Sequence, residues 1–330
     1  MIEAGRDSEH AAAYRGRRVL VTGADGFLGS HLCERLLGLG AHVSAVVRPS
    51  SVKGTAVLQL RNLAGVQSAL TSVVATDVAG PDAVAAMAET EPEIVFHLAA
   101  DAYVERSFGH PREVMRTNLG GTESVLELAR VRDGVERVVV TSSSEIYGPA
   151  QTEAIDEGHP LQPTSPYAAS KLAADRLAYA HHCTYGTPVA IIRPFNTFGP
   201  RHPYDVIPKF IERALAGRPL VVYGDGAQSR DFTYAPDMVE AFVTMGAHPA
   251  AIGRAVNFGT GVATTIAALA RMIVAVAGSV SAIEHGAPRD AEVSRLCCDH
   301  GLATSLLGWR PRVNLAQGLA DNVAWVRERR

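Results

Sequence analysis

Arg18-Val-Leu-Val-Thr-Gly-Ala-Asp-Gly-Phe-Leu-Gly-Ser30 is the stretch of sequence that decides the fold. Its first five residues form a short apolar run typical of a buried strand, and Leu28 begins a helical pattern that Gly40 closes. Three glycines, at 23, 26 and 29, stand between the two. Glycines permit a tight turn and let backbone N–H groups approach a pyrophosphate at a helix N-terminus. Because the glycines follow a strand and open a helix, the stretch predicts a dinucleotide-binding turn.

Strand-like and helix-like segments alternate through the first half of the chain, a pattern typical of a parallel α/β sheet. After residue 194, proline, glycine and aromatic residues become denser, as in ligand-binding loops. The predicted strands are 18–22, 43–47, 72–76, 94–97, 137–142 and 189–193, and the predicted helices are 28–39, 81–89, 112–132, 166–185, 207–216 and 265–276.

The fold class that we expect is therefore α/β, a doubly wound parallel sheet of the Rossmann type with a smaller, interleaved α/β lobe for the substrate. The dinucleotide-binding domain would cover 17–194 and about 232–262. The smaller lobe would cover 195–231 and 263–330, and residues 1–16 would form a flexible polar tail.

Composition excludes several classes of protein. The 330 residues are 47% hydrophobic and 20% charged, as in a soluble globular enzyme, and the net charge of −3 favours neither nucleic acid nor an anionic membrane as partner. The N-terminus lacks a signal-peptide pattern, and we expect a cytoplasmic protein. Cys33, Cys183, Cys297 and Cys298 have no metal-site spacing, so we expect reduced thiols and no metal.

A tyrosine and a lysine are spaced for proton transfer in Ser165-Pro-Tyr-Ala-Ala-Ser-Lys171. Tyr167 and Lys171 are one helical turn apart and share a face. An ammonium beside a phenol favours the phenolate, so the pair is a candidate general base for a sugar or alcohol hydroxyl. The alternative is a surface tyrosine beside a solvated lysine.

A hydroxyl-rich strand end, Thr141-Ser-Ser-Ser-Glu-Ile-Tyr-Gly148, lies about twenty residues upstream. Open α/β sheets bind ligands at the carboxyl ends of their strands. Ser143 can hydrogen-bond both a substrate hydroxyl and the Tyr167 phenol. Glu145 can abstract a proton α to a carbonyl, or it can serve as a structural carboxylate that caps the next loop.

The residue that follows the second strand bears on the choice of cofactor. An acidic residue there would bind the 2′-hydroxyl of NAD, but this chain has Arg48, followed by serines that include Ser51. An arginine suits a 2′-phosphate, so the sequence mildly favours NADP over NAD. Asp77, after the third strand, either accepts from the adenine amino group or caps the next helix.

The glycine turn, Ser143 and the Tyr167/Lys171 pair together resemble the extended short-chain dehydrogenase/reductases. More narrowly, they look like the NAD(P)-dependent nucleotide-sugar epimerases and dehydratases, and the similarity runs from about residue 17 to 326. Arg193-Pro-Phe-Asn-Thr-Phe-Gly-Pro-Arg201, Tyr223-Gly-Asp-Gly226 and Gln228-Ser-Arg-Asp-Phe-Thr-Tyr234 also fit this family.

The resemblance implies an enzyme that binds NAD(P) and a nucleotide sugar. It also implies a homodimer formed through helices 112–132 and 166–185. The residues expected around the cofactor are Gly23, Asp25, Gly26, Phe27, Leu28, Gly29, Arg48, Ser51, Asp77, Val78, Leu98, Ala99, Ala100, Asn118, Tyr167 and Lys171. Those expected around the substrate are Asn196, Arg201, Tyr223, Gln228, Arg230 and Arg289, and the expected catalytic residues are Ser143, Ser144, Glu145, Tyr167 and Lys171.

The glutamate at position 145 is the residue that separates the possible reactions. Family epimerases usually have a small or hydroxyl residue there, whereas the 4,6-dehydratases and the UDP-glucuronate decarboxylases have a glutamate. Similarity is greatest to the 4,6-dehydratases, although dTDP-glucose dehydratases have an aspartate where this chain has Ser144. The sequence therefore predicts a 4,6-dehydratase. A 4-epimerase, a UDP-uronic acid decarboxylase and a non-catalytic NADP-binding sensor are the alternatives.

Overall fold

The computed structural model describes the backbone of residues 2–52, 55–57, 60–288 and 293–329, and the side chains of 8–49, 60–288 and 293–329. Helices and strands are numbered in chain order. The helices are α1 (Ile2–Tyr14), α2 (Phe27–Gly38), α3 (Ala83–Ala88), α4 (Val104–Gly109), α5 (Pro111–Met115), α6 (Gly121–Val131), α7 (Pro166–Tyr185), α8 (Val206–Leu215), α9 (Ala235–Ala247), α10 (Ile266–Val276), α11 (Gly301–Leu307) and α12 (Leu315–Arg327). The strands are β1 (Arg18–Thr22), β2 (His42–Val47), β3 (Ser50–Val52), β4 (Thr55–Val57), β5 (Ser72–Ala75), β6 (Ile94–His97), β7 (Arg137–Thr141), β8 (Val189–Pro194), β9 (Thr197–Phe198), β10 (Leu220–Tyr223), β11 (Ser229–Asp231), β12 (Thr233–Tyr234), β13 (Ala255–Phe258), β14 (Ala263–Thr265), β15 (Ile283–Gly286) and β16 (Arg295–Leu296).

The main sheet of the described chain has seven strands in the order β13-β8-β7-β6-β1-β2-β5. β1 pairs in parallel with β2 on one side and with β6 on the other, where Thr22 lies opposite His97. The strand order reverses at β1, and such a reversal is where open α/β sheets bind ligands. The predicted Rossmann-type fold is confirmed.

Helices pack against this sheet, and its strands are continuous apolar runs rather than alternations of polar and apolar residues. Such runs are typical of a sheet that is buried on both faces. β1 and β7 are buried along almost their whole length. Leu20, Val95, Val138 and Val140 pack in one hydrophobic cluster with buried residues of the flanking helices, among them Leu126. Among the helices in the described part of the chain, none combines the length and the hydropathy that a membrane crossing requires.

The chain forms two compact units. The first comprises Met1–Ser143, Ser165–Arg193 and Val239–Val256, and the second comprises Ser144–Thr164, Pro194–Met238 and Asn257–Arg330. The sequence predicted 144–164 in the first domain, but the backbone of Ile155 bonds to Cys297 and Asp299 and so holds this segment in the second unit. That unit has its own apolar core, formed by residues such as Phe210, Ile211, Leu269, Ile273 and Leu319.

The N-terminal segment differs from the flexible tail predicted for residues 1–16, because residues 2–14 form helix α1. Tyr14 is fully buried, and its hydroxyl donates to the carbonyl oxygen of Val243 at 2.7 Å. Its ring lies 6.3 Å from that of Phe96 on β6. Gly246 makes room for it, because a Cβ there would lie 2.2 Å from the Tyr14 hydroxyl. The polar composition of the segment concealed this one anchoring side chain.

The Tyr14→Ala substitution tests whether α1 belongs to the folded domain. Loss of a fully buried aromatic ring should lower the free energy of unfolding by about 3–5 kcal/mol, because the ring leaves a cavity. Chemical denaturation measures the change. Tyr223→Ala is the matched control, because Tyr223 is 40% exposed and its removal should change stability by no more than about 0.5 kcal/mol. Equal effects of the two substitutions would contradict an anchoring role for Tyr14.

Candidate active site

The glycine turn between β1 and α2 is shaped to hold a phosphate group. Gly26 precedes the helix, which has neither a side-chain cap nor an acidic residue in its first turn, so no side chain competes for its N–H groups. Gly23 has a φ of 67°, and a Cβ there would lie 2.8 Å from the backbone of Ala99. A Cβ on Gly29 would lie 2.2 Å from the carbonyl oxygen of Gly23. These residues fit the pyrophosphate of a dinucleotide.

Asp25, expected near the cofactor, has its carboxylate engaged by a loop of the same unit. The carboxylate accepts from the backbone N–H groups of Arg61, Asn62 and Leu63 at 3.0, 2.9 and 3.0 Å. Asn62 also donates to the Asp25 carbonyl oxygen. Asp25 therefore holds the 61–63 loop beside the glycine turn.

Asp77, which follows β5, forms an ion pair with Arg116, and Arg116 Nη2 lies 2.7 Å from Asp77 Oδ2. Burial favours a higher pKa for the Asp77 carboxyl, but the Arg116 hydrogen bond, the Ala79 N–H and the charges of Arg116 and Arg48 outweigh it and lower that pKa. Arg48 itself is exposed. The side chain of Ser51 lies outside the described residues.

His97, at the end of β6, is buried between two threonines. Thr22 Oγ1 lies 2.8 Å from His97 Nδ1, and Thr122 Oγ1 lies 3.1 Å from His97 Nε2. Thr122 donates its proton to the carbonyl oxygen of Asn118, so it must accept from Nε2–H. Nδ1 then accepts from Thr22, whose oxygen in turn accepts from the Ala99 N–H. His97 is thus the neutral Nε2–H tautomer and links the glycine turn to α6.

The helix predicted over 112–132 is interrupted by a π-helical turn at Arg116–Gly120. Such turns occur frequently at functional sites. Asn118 lies in this turn and is buried, and its Oδ1 accepts from the Asp101 N–H at 2.7 Å. Its Nδ2 donates to Ser170 Oγ at 2.8 Å, and Ser170 donates to the Tyr167 carbonyl oxygen. Asn118 therefore anchors the helix that carries the predicted catalytic pair.

Tyr167 and Lys171 both lie on the buried side of α7, 8% and 4% exposed. Helix α7 begins where the sequence predicted, because Ser165 caps it through the Ala168 N–H and Pro166 occupies its first turn. Burial lowers the pKa of Lys171 to about 8, partly offset by the Asp175 carboxylate one turn further on. A buried lysine with a lowered pKa beside a tyrosine is typical of a functional site. Asp175 was not predicted from the sequence, although the same four-residue spacing continues from Tyr167 through Lys171 to Asp175.

Ser143 and Ser144 are buried just beyond β7, and Glu145 is half-buried in the 3₁₀ turn Ser144–Tyr147. Tyr147 fixes this turn, because its hydroxyl donates to Asn257 Oδ1 at 2.7 Å. The turn is closed by Gly148, at a φ of 66°, where a Cβ would lie 1.9 Å from the Gln162 carbonyl oxygen. The sequence did not reveal Asn257 as an anchor.

The residues predicted to bind substrate lie mainly in loops and short strands of the second unit. Asn196 Oδ1 is buried and has no hydrogen-bond partner among the described residues. Arg201 has a φ of 70°, which is uncommon for a residue with a side chain. Arg230 donates to the carbonyl oxygens of Ser229 and Val293 at 3.0 and 2.7 Å, and Gln228 donates to that of Tyr223. Arg289 lies outside the described residues.

Comparison with known proteins identifies the family. Residues 19–259 match the model of the NAD dependent epimerase/dehydratase family. The chain is 37% identical over 317 residues to a UDP-glucose 4-epimerase of Mycolicibacterium smegmatis, covering 94% of this chain and 99% of that protein. It is 34% identical over 324 residues to a dTDP-glucose 4,6-dehydratase of Actinoplanes sp., covering 95% and 98%. The chain belongs to the NAD-dependent epimerase/dehydratase family.

A solved structure agrees with this assignment. The structure of DesIV, a dTDP-glucose 4,6-dehydratase of Streptomyces venezuelae with NAD bound, matches with a TM-score of 0.85 at 34% identity, over 94% of this chain and 97% of that one. The protein is thus an enzyme of a family of NAD-dependent nucleotide-sugar dehydratases and epimerases. Its epimerase and dehydratase relatives have similar sequence identity to this chain.

The pH dependence of the free energy of unfolding tests whether His97 is neutral in the folded protein. Burial and, secondly, the charge of Lys171 lower the pKa of His97 from 6.5 to about 3. Between these values the unfolded chain binds a proton that the folded protein does not, so the contribution of His97 to stability is complete above pH 6.5 and is lost as the pH falls. The free energy of unfolding should fall by up to about 1.4 kcal/mol per pH unit from this residue alone.

Denaturation at several pH values compares the wild type with His97→Gln, which should lose this slope. His110→Gln is the control, because the His110 side chain is 55% exposed, and it should keep the wild-type slope. Identical slopes in all three proteins would show that His97 takes up its proton in the folded state.

Proposed function

We propose that the protein is a nucleotide-sugar 4,6-dehydratase. The observation that carries this proposal is the carboxylate of Glu145, held on the 3₁₀ turn that follows the buried Ser143. Loss of water from C6 requires a base for the C5 proton, and a carboxylate supplies one. The dehydratases of Actinoplanes sp. and Streptomyces venezuelae support the proposal by their similarity to this chain.

In this mechanism each catalytic side chain moves or positions one proton. Tyr167, as a phenolate stabilised by the Lys171 ammonium and positioned by Ser143, removes the proton of the sugar 4-hydroxyl. NAD, when bound at the glycine turn of Gly23, Gly26 and Gly29, would supply the acceptor for the C4 hydride and the hydride for C6. The 4-ketone makes the C5 proton acidic, and Glu145 removes it. Glu145 then donates this proton to the departing 6-hydroxyl, which leaves as water. When the hydride returns to C6, the enolate that results takes up a proton at C5, which balances the proton that Tyr167 removed from the 4-hydroxyl.

The choice of nicotinamide cofactor depends on the end of β2. Arg48 would suit a 2′-phosphate, which is why the sequence favoured NADP, but the relatives lend that preference no support. The family is NAD-dependent, and DesIV was solved with NAD. We propose NAD as the cofactor, with the Arg48 guanidinium exposed beside the ribose rather than neutralised by a phosphate.

A 4-epimerase is the second candidate, favoured by the 37% identity to the Mycolicibacterium smegmatis enzyme. Tyr167 and Lys171 would have the same roles, but the 4-ketone would take its hydride back on the opposite face. No proton would leave C5, so Glu145 would be a structural carboxylate of its turn.

Glu145→Gln separates the two reactions. The purified protein is incubated with NAD, and separately with NADP, against UDP-, dTDP-, GDP- and CDP-sugars, and the product masses are recorded. We expect the wild type to remove one water from one of these sugars. Glu145→Gln should lower dehydration by about 10²–10⁴-fold, the usual contribution of a general base, while C4 oxidation persists.

Glu153→Gln is the matched control, because Glu153 is exposed in the same unit, and it should keep the wild-type rate. Full dehydration by Glu145→Gln would refute the assigned role. An isomer of unchanged mass from the wild type would instead establish the epimerase.

We also propose that the protein is a homodimer formed through helices 112–132 and 166–185, as the family resemblance implies, with α4, which packs against α7, beside them. Two large apolar side chains on these helices support it, because Phe108 on α4 is 55% exposed and Tyr179 on α7 is 46% exposed. The guanidinium of Arg176 lies 5.2 Å from the centre of the Tyr179 ring. Exposed aromatic and arginine side chains are typical of interface anchors.

Light scattering at micromolar concentration tests the dimer. The wild type should have twice the mass of the chain, and Phe108→Asp combined with Tyr179→Asp should be a monomer, because two buried unpaired carboxylates oppose association. Val280→Asp is the control, because Val280 is fully exposed on the other unit, and it should remain a dimer. A monomeric wild type would refute the proposal.

A further inference from the structure

We propose that Asp175 is a positioning residue of the active site, fixed by Arg193, that keeps Lys171 charged beside Tyr167. This inference rests on the proposed function, because it presumes that the Tyr167/Lys171 pair removes the substrate proton.

The geometry begins with helix α7. Tyr167, Lys171 and Asp175 follow one another at intervals of four residues, so the three side chains lie along one face of the helix. That face is buried, since their exposed fractions are 8%, 4% and 0%. A carboxylate therefore lies in the protein interior one turn beyond the lysine.

Asp175 is held by an arginine from the neighbouring strand. Arg193, at the end of β8 and 2% exposed, places Nε 2.9 Å from Asp175 Oδ2 and Nη2 3.1 Å from Oδ1. This two-point contact fixes both oxygens of the carboxylate. The exposed side chain of Arg176 also reaches Oδ1. The carboxylate thus has a single position, from which it acts on Lys171.

The charge of Asp175 affects the pKa of Lys171, in addition to its role in packing. Burial alone favours a higher pKa for Asp175, but the hydrogen bond and charge of Arg193 and the charge of Arg176 lower it, so the carboxylate stays ionised. Burial lowers the pKa of Lys171 to about 8, and Asp175 is the group that opposes this fall. His97, whose own pKa is lowered by burial and by the charge of Lys171, is neutral above pH 3 and adds no compensating charge.

The lysine must be protonated to stabilise a phenolate, so its pKa decides the catalysis. Without the Asp175 charge, the Lys171 pKa would fall further below its usual range. Tyr167 would then lose its stabilising cation. A purely structural link between α7 and β8 would not need a charge beneath the lysine, because well-packed apolar residues stabilise such a contact equally well.

The composition of the chain makes a direct test possible, because it contains only three lysines, Lys53, Lys171 and Lys209. In protein labelled with ¹³C-lysine, the side-chain Cε signals report each titration separately, and Lys171→Arg assigns the signal of interest. The substrate-free protein is titrated. Asp175→Asn should lower the Lys171 midpoint by about one pH unit or more, the effect of losing one adjacent opposite charge, and leave that of Lys209 unchanged.

Two further variants separate charge from folding. Asp175→Asn leaves Arg193 unpaired and could unfold the protein, whereas Asp175→Asn combined with Arg193→Met removes both charges together and should keep the fold. The double variant should show the same lowered midpoint. Asp175→Glu retains the charge and should restore the midpoint. Asp237→Asn, which removes a buried carboxylate from the other unit, should leave it unchanged.

An unchanged Lys171 midpoint in the folded double variant would overturn the proposal, as would an equal fall in Asp175→Glu. The pH–rate profile supplies the functional readout, since its alkaline limb should move to lower pH in Asp175→Asn. A lowered Lys171 titration midpoint together with an unchanged alkaline limb of the pH–rate profile would also overturn the proposed role. Because the lysine titration needs no substrate, it stands apart from the outcome of the Glu145 experiment.

Discussion

The structure depends on the close approach of two backbones at the end of β1. Gly23 lies so near Ala99 that a side chain between them is impossible, and Gly29 approaches the Gly23 carbonyl oxygen even more closely. This contact sets the distance between β1, β6 and the start of α2. The chain of hydrogen bonds from Ala99 through Thr22, His97 and Thr122 to Asn118 then extends the same arrangement to α6 and the π-helical turn. Since Asn118 also donates to Ser170 on α7, the glycine turn and helix α7 are parts of one polar framework.

Most of the fold was predictable because parallel strands and amphipathic helices have strong sequence patterns. β1, β6 and α7 have the predicted bounds, since an apolar run, a capping serine and a proline mark their ends. The elements that were missed depend on tertiary contacts. Helix α1 has a polar sequence and is held by Tyr14, and segment 144–164 joins the second unit through backbone bonds of Ile155. The hydrophobic periodicity of the sequence does not indicate such tertiary contacts.

The placement of the predicted site residues followed from the sequence where a helix fixes their spacing, and less so where a side chain has several possible partners. Tyr167 and Lys171 lie on one buried helical face, as their spacing indicates. The roles of Asp25 and Arg230 could not be inferred in the same way. Asp25 holds a loop more than thirty residues away in sequence, and Arg230 binds the carbonyl oxygen of Val293. These partners become neighbours only through folding.

The π-helical turn at Arg116–Gly120 has a consequence for which changes the chain can accept. A π turn holds about one residue more than an α-helical turn, so deleting one residue there would restore an ordinary helix and leave α6 in its present orientation. A deletion within α6 itself has no such extra residue to remove, and it would rotate everything after it by about 100°, the angle of one residue in an α-helix. The apolar face beyond that deletion would turn away from the sheet. The two segments of this helix therefore differ in the changes of length that they can accept.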